Sequence, residues 1–164
     1  MYPFRTILHP TDYSENSESA FRLACSFARE HRARLIIVHV VPPRTAAGRS
    51  PQMLETLKEQ LRQLRPEDPN IIVDHHLVDG DPADEIIREA RAAGCDVIIL
   101  GTHGRTGLKR LLTGSVAERV LRGAPCPVVT IRVPEAEQPT PELARQDDAE
   151  VRRHEVGVES RTEA

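Results

Sequence analysis

The segment that opens Gly101-Thr102-His103-Gly104-Arg105-Thr106-Gly107 and closes on Gly114-Ser115 has the form G-x2-G-x9-G-S. Gly101 and Gly104 carry no Cβ, so the main chain there can approach a ligand closely. Gly114-Ser115 opens a stretch of helical periodicity whose first N–H groups would point outward. Arg105, Lys109 and Arg110 add positive charge, and the Ser115 hydroxyl can donate to a phosphate oxygen. Two clusters of main-chain donors on one basic loop make a cradle for an oxyanion, and a polyphosphate is the fitting ligand. The plain alternative is a glycine-rich turn that only joins a strand to a helix; the spacing together with the basic side chains favours the cradle. The chain has neither G-x-x-x-x-G-K-[ST] nor G-x-G-x-x-G in this loop, so it is not a Walker-type loop or a Rossmann fingerprint.

A cradle needs a rigid frame, and hydrophobic periodicity supplies one. Phe4 to His9 is a short apolar run stopped at Pro10, and Arg34 to Val41 is a second; both read as buried strands. Between them Ser14 can cap a helix in which Ala20, Ala24, Phe27, Ala28 and His31 form one stripe, with Ser17 and Glu18 facing outward. Leu54, Leu57, Leu61 and Leu64 mark a second helix that ends before Pro66. Ile71 to Val78 is a third strand. Gly80-Asp81-Pro82-Ala83-Asp84 then sets a turn, an N-cap, a first-turn proline and a first-turn acid, with Ile86, Ile87 and Ala90 facing the sheet and Gly94 closing the helix.

Asp96 to Leu100 is the most apolar strand and is expected at the centre of the sheet. Ser115 to Arg122 is a short helix with Val116, Ala117, Val120 and Leu121 inward, and Pro127 to Val133 is the last strand. The alternation predicts an α/β fold: an open doubly wound five-stranded parallel sheet flanked by four helices. Ligands of such sheets sit beyond the carboxyl ends of the strands where strand order reverses, the end at which the glycine loop begins.

Composition narrows the classes of function. The 164 residues carry 22 Lys plus Arg against 25 Asp plus Glu, a pI near 6.2 and 3% aromatics, too little positive charge and stacking surface for nucleic acid. No run of 18 apolar residues and no signal-peptide pattern occurs, so a membrane location is not expected. Cys25, Cys95 and Cys126 are odd in number and set among apolar neighbours, which suits buried thiols in a reducing compartment and a cytoplasmic address. Residues 134–164 hold nine acidic and four basic side chains, three prolines and few apolar groups. The expected division is therefore a nucleotide-binding domain at 1–133 and an acidic disordered tail at 134–164.

His9-Pro10-Thr11-Asp12 with Ser14 after the first strand, His39-Val40 ending the second, Gly80-Asp81-Pro82-Ala83 before the third helix, and the complete glycine loop together resemble a universal stress protein of the ATP-binding branch, over Phe4 to Val133. The resemblance implies an adenine nucleotide alpha hydrolase-like fold, an ATP site with or without Mg2+, and a homodimer formed through Val128 to Val133. It places Pro10, Thr11, Asp12 and Val40 at the adenine and ribose; Gly101, Thr102, His103, Gly104 and Arg105 at the ribose and phosphates; and Gly114, Ser115 and Val116 at a second phosphate cradle. Thr106, Gly107 and Ala117 flank these positions and complete the candidate set. Asp12 is placed either to accept from an amino or hydroxyl group or to hold a phosphate-bound metal.

Two residues depart from the pattern: His9 stands where relatives often carry an apolar or aromatic side chain and is expected to alter base packing, and Gly107 adds a glycine to the loop. His9, His39 and His103 all lie near strand ends, yet the carboxylates and spacings of a metal site are missing and no protein metal site is expected. His75 and His76 point to opposite faces of a strand, one expected in solvent and one packed, and Arg119 and Arg122 are expected on a solvated helix face. The leading expectation is a regulatory ATP-binding module of the stress response with at most slow hydrolysis. The alternatives are an ATP-hydrolysing enzyme, for which Asp12, His103 and Arg105 are the only candidates, and an interaction module whose site holds no nucleotide.

Overall fold

The computed structural model describes residues 4–43, 50–102 and 115–133. The chain alternates strictly: β1 (Thr6–Pro10), α1 (Glu15–His31), β2 (Arg34–Val41), α2 (Pro51–Gln63), β3 (Val73–Asp79), α3 (Pro82–Ala93), β4 (Val97–Gly101), α4 (Ser115–Gly123) and β5 (Val128–Ile131). The five strands form one parallel sheet in the order β3-β2-β1-β4-β5. Period-two alternation within buried strands divides the core into two layers. Leu8, Ile36, Val38, Val40, Ile98 and Leu100 pack beneath Ala83, Ile86 and Ala90 of α3 and Ala117 and Val120 of α4. Ile7, Leu35, Ile37, Val97 and Ile99 face Ala20, Ala24 and Ala28 of α1 and Leu61 of α2.

Helix ends follow local chemistry. Ser14 Oγ accepts from the Ser17 N–H at 3.2 Å and Ser50 Oγ from the Met53 N–H at 3.2 Å, each satisfying a first-turn donor that has no intrahelical carbonyl. Gly94 closes α3 in the left-handed region, φ 59°, with its N–H returned to Ala90 and Arg91.

The predicted architecture is the observed one, with local corrections. β1, not β4, is the middle strand; β4 lies beside it, between β1 and β5. β3 begins at Val73 and β5 spans only Val128–Ile131. Ser17 is buried rather than outward, because it continues the Ala20, Ala24, Ala28 stripe one turn earlier and its hydroxyl finds a partner on Thr11. Leu121 is exposed, since Ala117 and Val120 already fill the inward stripe of so short a helix. His75 and His76 do point apart, but both are half-buried: His75 Nε2 lies 2.9 Å from the Leu64 carbonyl at the end of α2, and His76 Nδ1 2.6 Å from Glu89 Oε2 on α3.

Candidate functional site

Strand order reverses between β1 and β4, the topological place for a ligand crevice. Their paired residues are Ile7 with Val97 and Leu8 with Ile98. One residue further on, a side chain takes over from the ladder: His9 Nδ1 donates to the Ile99 carbonyl at 2.9 Å. Only the Nδ1–H tautomer can make that bond. His9 is fully buried, with its ring 5.6 Å from that of Phe21. Burial lowers its pKa to about 4, against the raising effects of the Ile99 bond and the Asp12 charge.

Past His9, β1 ends in a turn knit by its own side chains. Pro10 and Thr11 are buried, and the Thr11 N–H donates to Val38 O at 2.9 Å. Thr11 Oγ1 accepts from Ser17 Oγ at 2.9 Å and from the Tyr13 N–H at 3.2 Å. Asp12 Oδ1 accepts from Ser14 Oγ at 2.6 Å and from its N–H at 3.1 Å. These bonds hold Tyr13 at φ 62°, a left-handed conformation in which a bulky residue is uncommon. The Tyr13 ring lies tilted against His39, centroids 4.8 Å apart, the His39 Nδ1 lies 2.8 Å from the Thr11 carbonyl, and burial raises the pKa of the phenol. Val40 is buried in the layer under α3, at the carboxyl end of β2.

The end of β4 supplies Gly101 and Thr102. A Cβ on Gly101 would lie 2.8 Å from the Asn16 carbonyl carbon and 3.0 Å from the Ser17 nitrogen, so the close approach that glycine allows here is to the first turn of α1. The sequence reading had assigned that approach to a ligand. The Thr102 N–H donates to Ile131 O at 2.9 Å, and Asn16 Oδ1 accepts from the Val133 N–H at 2.7 Å, so the start of the glycine loop, the start of α1 and the exit of β5 meet. Ser115 is exposed at the first turn of α4, whereas Val116 and Ala117 turn their side chains into the core, leaving only main-chain groups to face a ligand. The candidate positions His103, Gly104, Arg105, Thr106, Gly107 and Gly114, and the basic groups Lys109 and Arg110, lie outside the described residues.

Sequence reasoning missed Ser17, Tyr13 and Asn16. Ser17 was legible as the next position on the alanine stripe. The left-handed Tyr13 and the long-range partner of Asn16 leave no trace in spacing. Among the described residues, no cluster of three or more His, Cys, Asp and Glu side chains is arranged to hold a metal, and no helix is long and apolar enough to cross a membrane.

The sequence model of the Universal stress protein family matches residues 3–132. Universal stress protein MJ0531 of Methanocaldococcus jannaschii is 34% identical over 145 residues, covering 82% of this chain and 85% of that protein. MJ0577 of the same organism is 29% identical over 154 residues, 79% of this chain and 95% of that one. The solved structure of MJ0577 superimposes with a TM-score of 0.64 over 82% of this chain and all of its own. A universal stress protein from Archaeoglobus fulgidus, solved in complex with dAMP, shares 24% identity and a TM-score of 0.61, covering 80% of this chain and 100% of that one; this likeness is one of fold. A family match across the whole described sheet, and a relative one-third identical over most of both chains, lead to one conclusion: the chain belongs to the universal stress protein family.

Proposed function

We propose that the protein is a cytoplasmic regulatory module that binds an adenine nucleotide, ATP in the first instance, and signals by occupancy. The observation that carries this reading is the reversal of strand order, where the Pro10-Thr11-Asp12 turn leaves β1 and Gly101-Thr102 ends the neighbouring β4, the end at which the glycine loop leading to Ser115 begins. An adenine nucleotide as the ligand class agrees with the dAMP complex of the Archaeoglobus fulgidus protein of the same fold. The donor set fits the group. Val40 offers an apolar wall, Asp12 an acceptor, and the start of α4 N–H groups without intrahelical carbonyls. Mg2+ accompanying the phosphates would neutralise their charge, and Asp12 would be the carboxylate to hold it. ATP bound here would alter a surface read by partners, a known type of switch. Slow hydrolysis at most is expected, since the sequence offers only Asp12, His103 and Arg105 as candidates and they form no recognisable set of water-orienting and charge-clamping groups.

The test is to denature freshly purified protein and chromatograph the released nucleotide, with Gly114→Val as control. ATP from the wild type and none from the variant is expected, and ATP at a hundredfold excess over Kd should add about 2.7 kcal/mol of stability. A protein that releases nothing and gains no stability with ATP would refute the reading. Steady turnover above about 1 per second would make it an enzyme.

The homodimer is proposed through the outer edge of β5. Pro127 O and Ile131 O accept from Ile98 and Thr102, so residues 127, 129 and 131 address β4 and the main-chain groups of Val128 and Thr130 address the free edge. Val129 and Ile131 also pack on the inner core, so a lysine there would disturb the fold as well as the edge. Thr130→Pro removes one outward donor while sparing the β4 ladder. It should shift the mass in light scattering toward the 18.3 kDa monomer, and an unchanged dimer would remove this edge from the interface.

A further inference from the structure

Arg119 lies one turn into α4, and its guanidinium reaches the start of α3. Nη1 donates to both carboxylate oxygens of Asp81, at 2.8 and 3.0 Å, and Nη2 to Asp84 Oδ1 at 2.7 Å. Asp81 is also the N-cap of α3: its Oδ1 accepts from the N–H groups of Ala83 at 3.0 Å and Asp84 at 3.2 Å. The sequence read Gly80-Asp81-Pro82-Ala83 as a helix start and Arg119 as a solvated face. The geometry joins them, because one carboxylate both starts α3 and holds α4.

Exposed ion pairs generally contribute little, but forked geometry and a second partner distinguish this one. It is also the pairing that crosses between helices on this face: Arg88 pairs with Glu85 and Glu89 within α3, and Arg122 with Glu118 within α4. The far end of α4 is tied to α3 as well, through Arg91 Nη2 and the Gly123 carbonyl at 3.3 Å. A nine-residue helix is marginal by itself, so its direction is set by such contacts and by the packing of Ala117 and Val120.

We propose that Arg119 is a positioning residue of the nucleotide site: by gripping Asp81 and Asp84 it sets the direction of α4, and so the place to which the main-chain donors at Ser115 and Val116 point. The inference rests on the nucleotide reading above and adds to it a residue that touches no ligand.

The experiment measures ATP affinity by calorimetry in Arg119→Gln, in Asp81→Asn/Asp84→Asn, and in the triple variant, alongside hydrogen exchange of the α4 amides without ATP. Asn at position 81 still caps α3, so the pair Asp81→Asn/Asp84→Asn removes the grip while keeping the helix start. Arg119→Gln and the Asp pair should each weaken ATP binding roughly 5-fold, and the triple variant no more than either, as groups acting through one contact do. Arg119→Lys, which keeps the charge without the fork, should fall between. The α4 amides of ligand-free Arg119→Gln should exchange faster than those of wild type. Wild-type affinity in Arg119→Gln, or losses that multiply in the triple variant, would overturn the inference while the nucleotide reading stands. If wild type binds no ATP, the nucleotide reading fails and takes the role at the site with it; the exchange rates then report separately on whether the grip directs α4.

Discussion

Protonation of His9 should make the fold sensitive to acid in a window set by that one side chain. The ring is fully buried, bonded through Nδ1–H to Ile99 O, and its pKa falls from the ordinary 6.5 to about 4. The folded state therefore refuses a proton that the unfolded chain accepts between those two values. Its contribution to stability is complete above pH 6.5, declines as pH falls, and is gone below about 4. A difference of about 2.5 pH units is worth about 3 kcal/mol in full, most of it lost by pH 4.5. The assay is urea unfolding of wild type and His9→Gln at pH 7.5, 6.5, 5.5 and 4.5. At pH 7.5 the variant is the less stable through imperfect replacement of the Ile99 bond, so the informative quantity is how the difference between the two proteins changes with pH. That difference should shrink and then reverse, moving toward the variant by about 2 to 3 kcal/mol across the series. The other titrating groups are common to both proteins and cancel. A difference that stays flat from pH 7.5 to 4.5 would show that His9 is not held neutral, and the account of the β1–β4 junction would be wrong.

Gly101→Ala should lower stability by about 1 to 3 kcal/mol in the absence of any nucleotide, because the new methyl meets α1 main chain that cannot swing aside. An unchanged melting temperature with lost ATP binding would return Gly101 to the role of ligand approach. Burial pushes the Cys25 thiol up to about 11 and Cys95 to about 12, so few thiolates exist at pH 8. Alkylation by iodoacetamide at that pH should run at least about a hundredfold slower in the native protein than in urea, as read by mass spectrometry, and equal rates would refute the assignment.

The order of elements was legible because each strand is a continuous apolar run bounded by Pro, Gly or a cap, and each helix has one stripe. The errors arose where residue type and environment disagree. Ser17 is polar yet buried, because the nearby Thr11 oxygen satisfies its hydroxyl, so a stripe read only from apolar types ended a turn too early. Leu121 is apolar yet exposed, because a nine-residue helix has room for one narrow inward face. The run at Val97 to Leu100 is more apolar than β1, but strand hydrophobicity reports burial on both faces, which every interior strand shares, and so does not rank one as the middle. Gly101 shows the limit for sites: the absence of a Cβ says that something comes close, and the same letter serves a phosphate or a helix.

Local costs gather at one place in this domain. Among the described residues, the buried side-chain polar atoms without a hydrogen-bond partner are His9 Nε2 and Tyr13 Oη. Each such atom gives up water without compensation, at about 1 to 3 kcal/mol. Tyr13 adds a left-handed backbone, for a residue with a Cβ about 1 to 2 kcal/mol more. Both residues belong to the carboxyl end of β1, while the two core layers away from it are ordinary alanine and branched aliphatic packing. A sequence free to relieve these costs could place an apolar residue at 9 and glycine or asparagine at 13. Instead the turn is held by hydrogen bonds of Thr11, Asp12, Ser14 and Ser17. Strain kept in place by its surroundings is the expected mark of a site shaped for something other than stability. It falls where strand order reverses, which supports this end of the sheet as the site on grounds independent of the glycine loop.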